Sequence, residues 1–189
     1  MPAVFIDKDG TLIEDVPYNV DPQLMRLTTG AIEGLQLLSK AGYKLIIITN
    51  QSGVARGYFP ESSLVAVEAR LSEVLAEGNL LLDGFYYCPH HPNGVVSEYA
   101  IDCDCRKPKP GLILRAVVEH NIDLQNSWLI GDSLSDVEAG KLAGCKTILI
   151  AHDHKPNLQM SHLQIPHHIA STLSRAAQII LYDEHNFQI

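Results

Sequence analysis

No run of basic residues occurs in this 189-residue chain, whose 22 acidic and 14 basic side chains leave a formal net charge of −8. A broad electrostatic face for nucleic acid is therefore excluded, because binding to a phosphate backbone needs clustered Lys and Arg. A small anion held by a few local cations is still allowed. No apolar run reaches the roughly 20 residues that a membrane-spanning helix needs. The N-terminus lacks the charged start, apolar middle and small-residue cleavage site of a secretory signal, so the expected compartment is the cytoplasm. There is no internal repeat and no interdomain linker, and one domain over 1–189 is expected. Cysteine is scarce, with 4 in all, yet Cys88, Cys103 and Cys105 fall in one short segment. In a reducing compartment that clustering points to a metal rather than to disulfides.

Strand and helix signals alternate along the chain. Val4-Phe5-Ile6 is a short apolar run that ends in Asp7-Lys8-Asp9-Gly10. Residues 12–28, broken by Pro17 and Pro22, read as irregular. Ile32, Leu35, Leu37 and Leu38 give a helical face ending at Gly42. Lys44 to Thr49 is near-continuously apolar and β-branched, as in a strand buried on both faces of a parallel sheet. A helix is predicted after Pro60, a strand at 84–87, a helix from Pro110-Gly111, a strand at 128–130, a helix ending near Gly144 and a strand at 146–150. Residues 151–166 read as a polar loop, including His152-Asp153-His154, and a final helix is expected over about 168–181. The alternation predicts an α/β fold, a Rossmann-like, doubly wound parallel sheet with helices on both faces and right-handed crossovers.

Three predicted strands end in polar residues. Asp7 ends the first, Thr49-Asn50 the second and Asp132 a later one. Ligands of open α/β sheets bind at that edge. Asp7 and Asp9, being close, repel unless a cation joins them, and oxygen ligands suit Mg²⁺. Each group also has a duller explanation: two solvated aspartates, a strand-ending Thr49, an Asp132 that caps the next helix, or an Asp136 favoured in its first turn. Their order along the chain argues for phosphoryl transfer. One carboxylate can attack phosphorus and a second can move the proton of the leaving oxygen, while Lys107 and hydroxyl or amide donors neutralise the phosphoryl oxygens. Pro108 biases Lys107 toward an extended backbone that could aim it across the site.

Asp7-Lys8-Asp9-Gly10-Thr11, Thr49-Asn50, Lys107 and Gly131-Asp132-Ser133-Leu134-Ser135-Asp136 resemble the four motifs of the haloacid dehalogenase (HAD) superfamily of phosphatases over roughly residues 3–150. The resemblance implies that Asp7 is the nucleophile and Asp9 the general acid/base. It implies Mg²⁺ bound by the Asp7 carboxylate, the Asp9 backbone carbonyl and Asp132, with Thr49 and Lys107 steadying the phosphoryl group and Asp136 supporting the metal. The gaps after the first two motifs are too short for a separate cap domain.

Cys88-Pro89-His90 is followed by Cys103-Asp104-Cys105, and three thiols with one imidazole can close a structural Zn²⁺ site. His91 could compete with His90, and a pair of buried thiols beside an exposed histidine is the metal-free alternative. Cys145 reads as a small buried apolar residue. A zinc-binding loop over 88–107 would fix the backbone that presents Arg106 and Lys107. Tyr86 to Pro92, Cys103 to Pro108 and Thr49 to Gly57 resemble the bacterial family of D-glycero-D-manno-heptose 1,7-bisphosphate 7-phosphatases, which serves heptose synthesis for ADP- or GDP-activated sugars. That resemblance implies substrate contacts at Asp15, Val16, Pro17, Tyr18, Asn50, Gln51, Ser52 and Arg106. Arg106 would suit the second phosphate, with Arg56 supporting. The expected partner is a small phosphorylated sugar, without nucleic acid or membrane, and the expected state is a monomer. Histidinol-phosphate phosphatase is the rival within the fold; polynucleotide 3′-phosphatase fits the acidic charge poorly. A non-catalytic zinc-stabilised binding module is the alternative of another class.

Overall fold

A computed structural model of the chain describes residues 1–151 and 160–186. In chain order it contains β1 (Ala3–Ile6), α1 (Ala31–Lys40), β2 (Lys44–Asn50), α2 (Ser63–Glu77), β3 (Gly84–Cys88), α3 (Gly111–His120), β4 (Trp128–Gly131), α4 (Leu134–Ala143), β5 (Lys146–Ile150), β6 (His168–Ala170) and α5 (Leu173–Asn186). The strands form one parallel sheet in the order β3-β2-β1-β4-β5-β6. Ile6 pairs with Ile47 of β2 and with Ile130 of β4. The chain winds outward from β1 in one direction and from β4 in the other. The gap between their carboxyl ends is therefore the topological switch point, where α/β sheets hold ligands.

Alternation along the strands divides the core. Val4, Ile6, Leu45, Ile47, Trp128, Ile130, Ile148 and Ile150 face α1, α2 and α5 through Leu35, Leu38, Leu71 and Ile180. Phe5, Ile46, Ile48 and Leu129 face α3 and α4 through Leu112, Ile113 and Ala139. Burial on both faces explains why the strands read as unbroken apolar runs. The doubly wound sheet is as the sequence predicts.

The final helix is shorter at its start than the expected 168–181. His168–Ala170 pairs with β5 as edge strand β6, with Ile148 opposite His168 and Ile150 opposite Ala170. Three residues are too few to display a period of two. The helix starts only at Leu173, after the Thr172 hydroxyl accepts from the Arg175 N–H at 3.1 Å. Leu173, Ala176, Ala177 and Ile180 form its buried face. The irregular 12–28 stretch contains one 3-10 turn, Pro22–Leu24, started by Asp21 accepting from the Gln23 N–H. His152-Asp153-His154 lies outside the described residues. No folded cap interrupts the connections 7–30 and 51–62; the longest insertion on the other side is the Cys-His loop between β3 and α3. Among the described residues no helix is long and apolar enough to cross a membrane.

Candidate active site

β1 carries Asp7 to the sheet edge, where its backbone N–H still donates to Ile130 O at 2.9 Å and so continues the ladder. Lys107 arrives from the loop before α3. Its Nζ lies 2.5 Å from Asp7 Oδ1 and 2.5 Å from Asp136 Oδ1, and donates to Ile48 O at 3.0 Å. All three side chains are buried. Asn50, at the end of β2, holds the lysine's backbone at both polar groups: its Oδ1 accepts from Lys107 N at 3.0 Å and its Nδ2 donates to Lys107 O at 3.2 Å. The following peptide bond, Lys107-Pro108, is cis.

Ser133, not Asp132, caps α4. Its hydroxyl accepts from the Asp136 N–H, and Asp136 Oδ2 accepts from the Ser133 N–H at 3.1 Å, a closed capping box. Asp136 thus steadies the helix with one oxygen and faces Lys107 with the other. Asp132 is left free to face Gly10, where a Cβ would stand 2.1 Å from Asp132 Oδ2; with φ at +78°, that loop position requires glycine.

Oxygens of Asp7, Asp132 and Asp136 lie within 4.8 Å of one another. Burial pushes the Asp7 carboxyl up; Lys107 opposes the rise and Asp136 and Asp132 add to it, leaving it at about 8. Asp132, at the rim, is raised to about 6, first by partial burial of its carboxyl and then by the Asp136 charge. Burial would pull Lys107 down, but Asp136 and Asp7 outweigh it and hold the ammonium above the ordinary lysine range. With all three carboxyls deprotonated, as ligation requires, the cluster would carry −2 against the one lysine, and its donors are all oxygens, a set that fits Mg²⁺. The Asp9 side chain stays out of this cluster. Its Oδ1 lies 2.5 Å from Lys8 Nζ and its Oδ2 accepts from Gln51 Nε2 at 3.0 Å.

Cys88, at the end of β3, Cys103 and Cys105 bring their sulfurs to 3.1–3.5 Å from one another, and His90 Nδ1 lies 3.3 Å from Cys105 Sγ. All four cysteines are free thiols. Four ligands about 2.3 Å from a tetrahedral Zn²⁺ would put sulfurs roughly 3.8 Å apart, so a small expansion admits the ion. Hydrogen bonds from Cys88 lower the Cys105 thiol to about 5 against its burial, and thiolate is the form that binds metal. His91 is turned away: its Nε2 faces Arg56 Nη2 at 3.0 Å and its Nδ1 accepts from Asn93 N. The geometry therefore selects His90 as the fourth candidate ligand.

A HAD-hydrolase-like family model matches residues 104–176. Over 82% of this chain, and 83% of the relative, the sequence is 46% identical to the D-glycero-beta-D-manno-heptose-1,7-bisphosphate 7-phosphatase of Pasteurella multocida. The enzyme of the same name from Escherichia coli K12 is 40% identical over 82% of both chains. The chain belongs to the heptose 1,7-bisphosphate 7-phosphatase family. Among solved structures, a HAD-like phosphatase from Mesorhizobium loti superposes with a TM-score of 0.83 at 34% identity, covering 96% of this chain and 85% of the other. A D,D-heptose 1,7-bisphosphate phosphatase from B. bronchiseptica, complexed with magnesium and phosphate, gives 0.82 at 28% identity, covering 97% and 99%.

The residues that the heptose bisphosphatase resemblance assigns to substrate fall into two groups. Asp15, Pro17, Tyr18, Asn50, Gln51 and Ser52 line, with Asp9, a cavity of about 270 Å³ beside the carboxylates. Val16 is exposed and outside that lining. Arg106 donates to His90 O at 3.3 Å, and Arg56 stands over His91, so both cations flank the Cys-His loop. Two residues went unread in the sequence. Lys8, 1% exposed, is the ion-pair partner of Asp9. Tyr58 packs its ring edge-on to Tyr18 at 4.6 Å. The position of Lys8 between two aspartates was the available signal; Tyr58 has none in the sequence.

Proposed function

We propose that this chain is a Mg²⁺-dependent phosphatase that removes the 7-phosphate of D-glycero-D-manno-heptose 1,7-bisphosphate, with the β configuration that its relatives' names carry. The observation that carries the reading is the buried Lys107 ammonium, held between the Asp7 and Asp136 carboxylates at the switch point. Asp7 Oδ would attack phosphorus, forming an acyl phosphate as the bond to the sugar's O7 breaks. Asp9 would protonate that leaving oxygen, then take a proton from the water that hydrolyses the acyl phosphate, releasing heptose 1-phosphate and orthophosphate. Lys107 and the Thr49 hydroxyl would hold the phosphoryl oxygens, and Arg106, with Arg56, the distal phosphate. Mg²⁺, held by Asp7, Asp132 and the Asp9 carbonyl, supplies neutralising charge at the phosphoryl group when bound. The Cys88, His90, Cys103 and Cys105 site would take structural Zn²⁺ and anchor the Arg106-Lys107 backbone.

The proposal extends to one domain over the whole chain, acting as a cytoplasmic monomer on a small sugar without nucleic acid or membrane. The net charge of −8 supports the last two points. Turnover of heptose bisphosphate against histidinol phosphate is the test. Faster hydrolysis of histidinol phosphate would overturn the substrate, and an Asp7→Asn variant with normal turnover would overturn the nucleophile.

A further inference from the structure

Gln51 occupies a position that family resemblance gives to substrate, yet its amide is already committed. Nε2 donates to Asp9 Oδ2 at 3.0 Å and to Thr49 Oγ1 at 2.8 Å. A carboxylate oxygen only accepts, so the NH₂ end must face Asp9, and its two hydrogens serve the two acceptors. The residue is 5% exposed, and its backbone is pinned by Gln51 N donating to Cys88 O at 2.8 Å. The opposite oxygen of Asp9 is paired with Lys8, itself buried. The Asp9 carboxyl is thus clamped along its inner edge while its outer edge borders the cavity.

We infer that Gln51 is a positioning residue that locks the proton-transferring Asp9 and the phosphoryl-steadying Thr49 into one hydrogen-bonded unit, and that it does not bind the sugar. The inference rests on the phosphatase reading above. An N–H cannot accept a hydrogen bond, so when Asp9 is the acid its proton is kept off the Gln51 side. It points instead into the cavity where the leaving oxygen must sit. The acid then meets the leaving group in one direction, and the hydroxyl that orients the phosphoryl group moves with it.

The experiment compares single-turnover formation of the phosphoenzyme from heptose bisphosphate and from p-nitrophenyl phosphate, in the full-length protein with Mg²⁺ and Zn²⁺ present. p-Nitrophenolate leaves without protonation; a sugar alkoxide does not. A well-placed general acid contributes about 10²- to 10⁴-fold. In Gln51→Leu the sugar-phosphate rate should fall at least about tenfold more than the aryl-phosphate rate, with an unchanged KM for the sugar. In an Asp9→Asn background the same substitution should add almost nothing. A raised KM with an unchanged rate, or equal losses on both substrates, would overturn the assignment. Gln51→Asn keeps a polar amide but withdraws it from Asp9, and the same selective loss is expected should the leucine variant not fold. A wild type inactive on both substrates would defeat the phosphatase reading and this one together. A wild type active on both, with equal losses in the variants, would defeat this one alone.

Discussion

Asp7 should make the Mg²⁺-free protein less stable as pH rises. Its carboxyl has a pKa of about 8 in the folded chain, against 3.8 when unperturbed. The folded state therefore binds the proton more tightly, and the stability this confers is complete below pH 4 and lost as pH climbs through 8. At about 1.4 kcal/mol per pKa unit the whole interval would amount to ~6 kcal/mol. That pKa already carries the opposing pull of Lys107, and the part of the interval between pH 5 and 8.5 covers about 3 pH units, ~4 kcal/mol. For a chain of this length that corresponds to about 8–16 °C in Tm. The protein should be zinc-loaded and dialysed free of Mg²⁺, then unfolded by heat and by urea between pH 5 and 8.5 beside an Asp7→Asn variant. A protonated Asp and an Asn are near-isosteric, so the two should match below pH 4, and at pH 5, where the unfolded carboxyl has ionised, the variant should lead by only ~1.6 kcal/mol. At pH 8.5 its lead should approach the whole interval, and by the mechanism proposed above it should be inactive. Mg²⁺ at 100 times its Kd should restore ~2.7 kcal/mol to the wild type at pH 8.5. It should restore much less at pH 5, where a proton must first leave. Wild-type and variant curves that run parallel from pH 5 to 8.5 would refute the buried-carboxyl argument.

Three other outcomes follow from the same geometry. Asn50→Leu strips both hydrogen bonds from the Lys107 backbone and should cost about 1–3 kcal/mol in urea unfolding, with a fall in kcat because the ammonium loses its fixed origin. Gly10→Ala places a Cβ against Asp132 Oδ2, and the Mg²⁺ concentration for half-maximal turnover should rise about tenfold or more, the equivalent of ~1.4 kcal/mol. Cys103→Ser should lower bound zinc from about one per chain to none by metal analysis, and lower both Tm and kcat; full activity without zinc would separate the Cys-His loop from the chemistry.

The sheet was legible because its strands are buried on both faces. Lys44–Asn50 and Lys146–Ile150 announce themselves as β-branched apolar runs, and the polar residues at the ends of the first, second and fourth strands, Asp7, Thr49-Asn50 and Asp132, mark the ligand edge. β6 was not legible: three residues carry no period, and only pairing with β5 makes them a strand. The carboxylates were readable from their place at strand ends. The partners that fix them were not, because those contacts join distant parts of the chain. Asn50 and Lys107 are 57 residues apart, and nothing in their local sequence says that an amide will take both backbone groups of a lysine. The choice of His90 over His91 likewise turns on Arg56 and Asn93 occupying the second imidazole.

The placement of Lys107 links the two candidate metal sites. One side of its backbone is tied by Asn50 to the end of β2, and two residues earlier Cys105 joins the thiol cluster seated on Cys88 at the end of β3. β2 and β3 are adjacent, with Asn50 opposite Cys88 in register. The lysine is therefore hung from two neighbouring strand ends, while its ammonium reaches β1 and the first turn of α4. A buried cation placed this way needs a fixed backbone, because moving it outward would leave Asp7 and Asp136 facing each other without a counter-charge. Packing alone gives this loop little to hold it, since Cys103 and Cys105 are only partly buried. Zn²⁺ ligated by Cys88, His90, Cys103 and Cys105 would be strong enough to do so, and a site of that kind, without an open position, would govern the rate of a reaction that it does not touch.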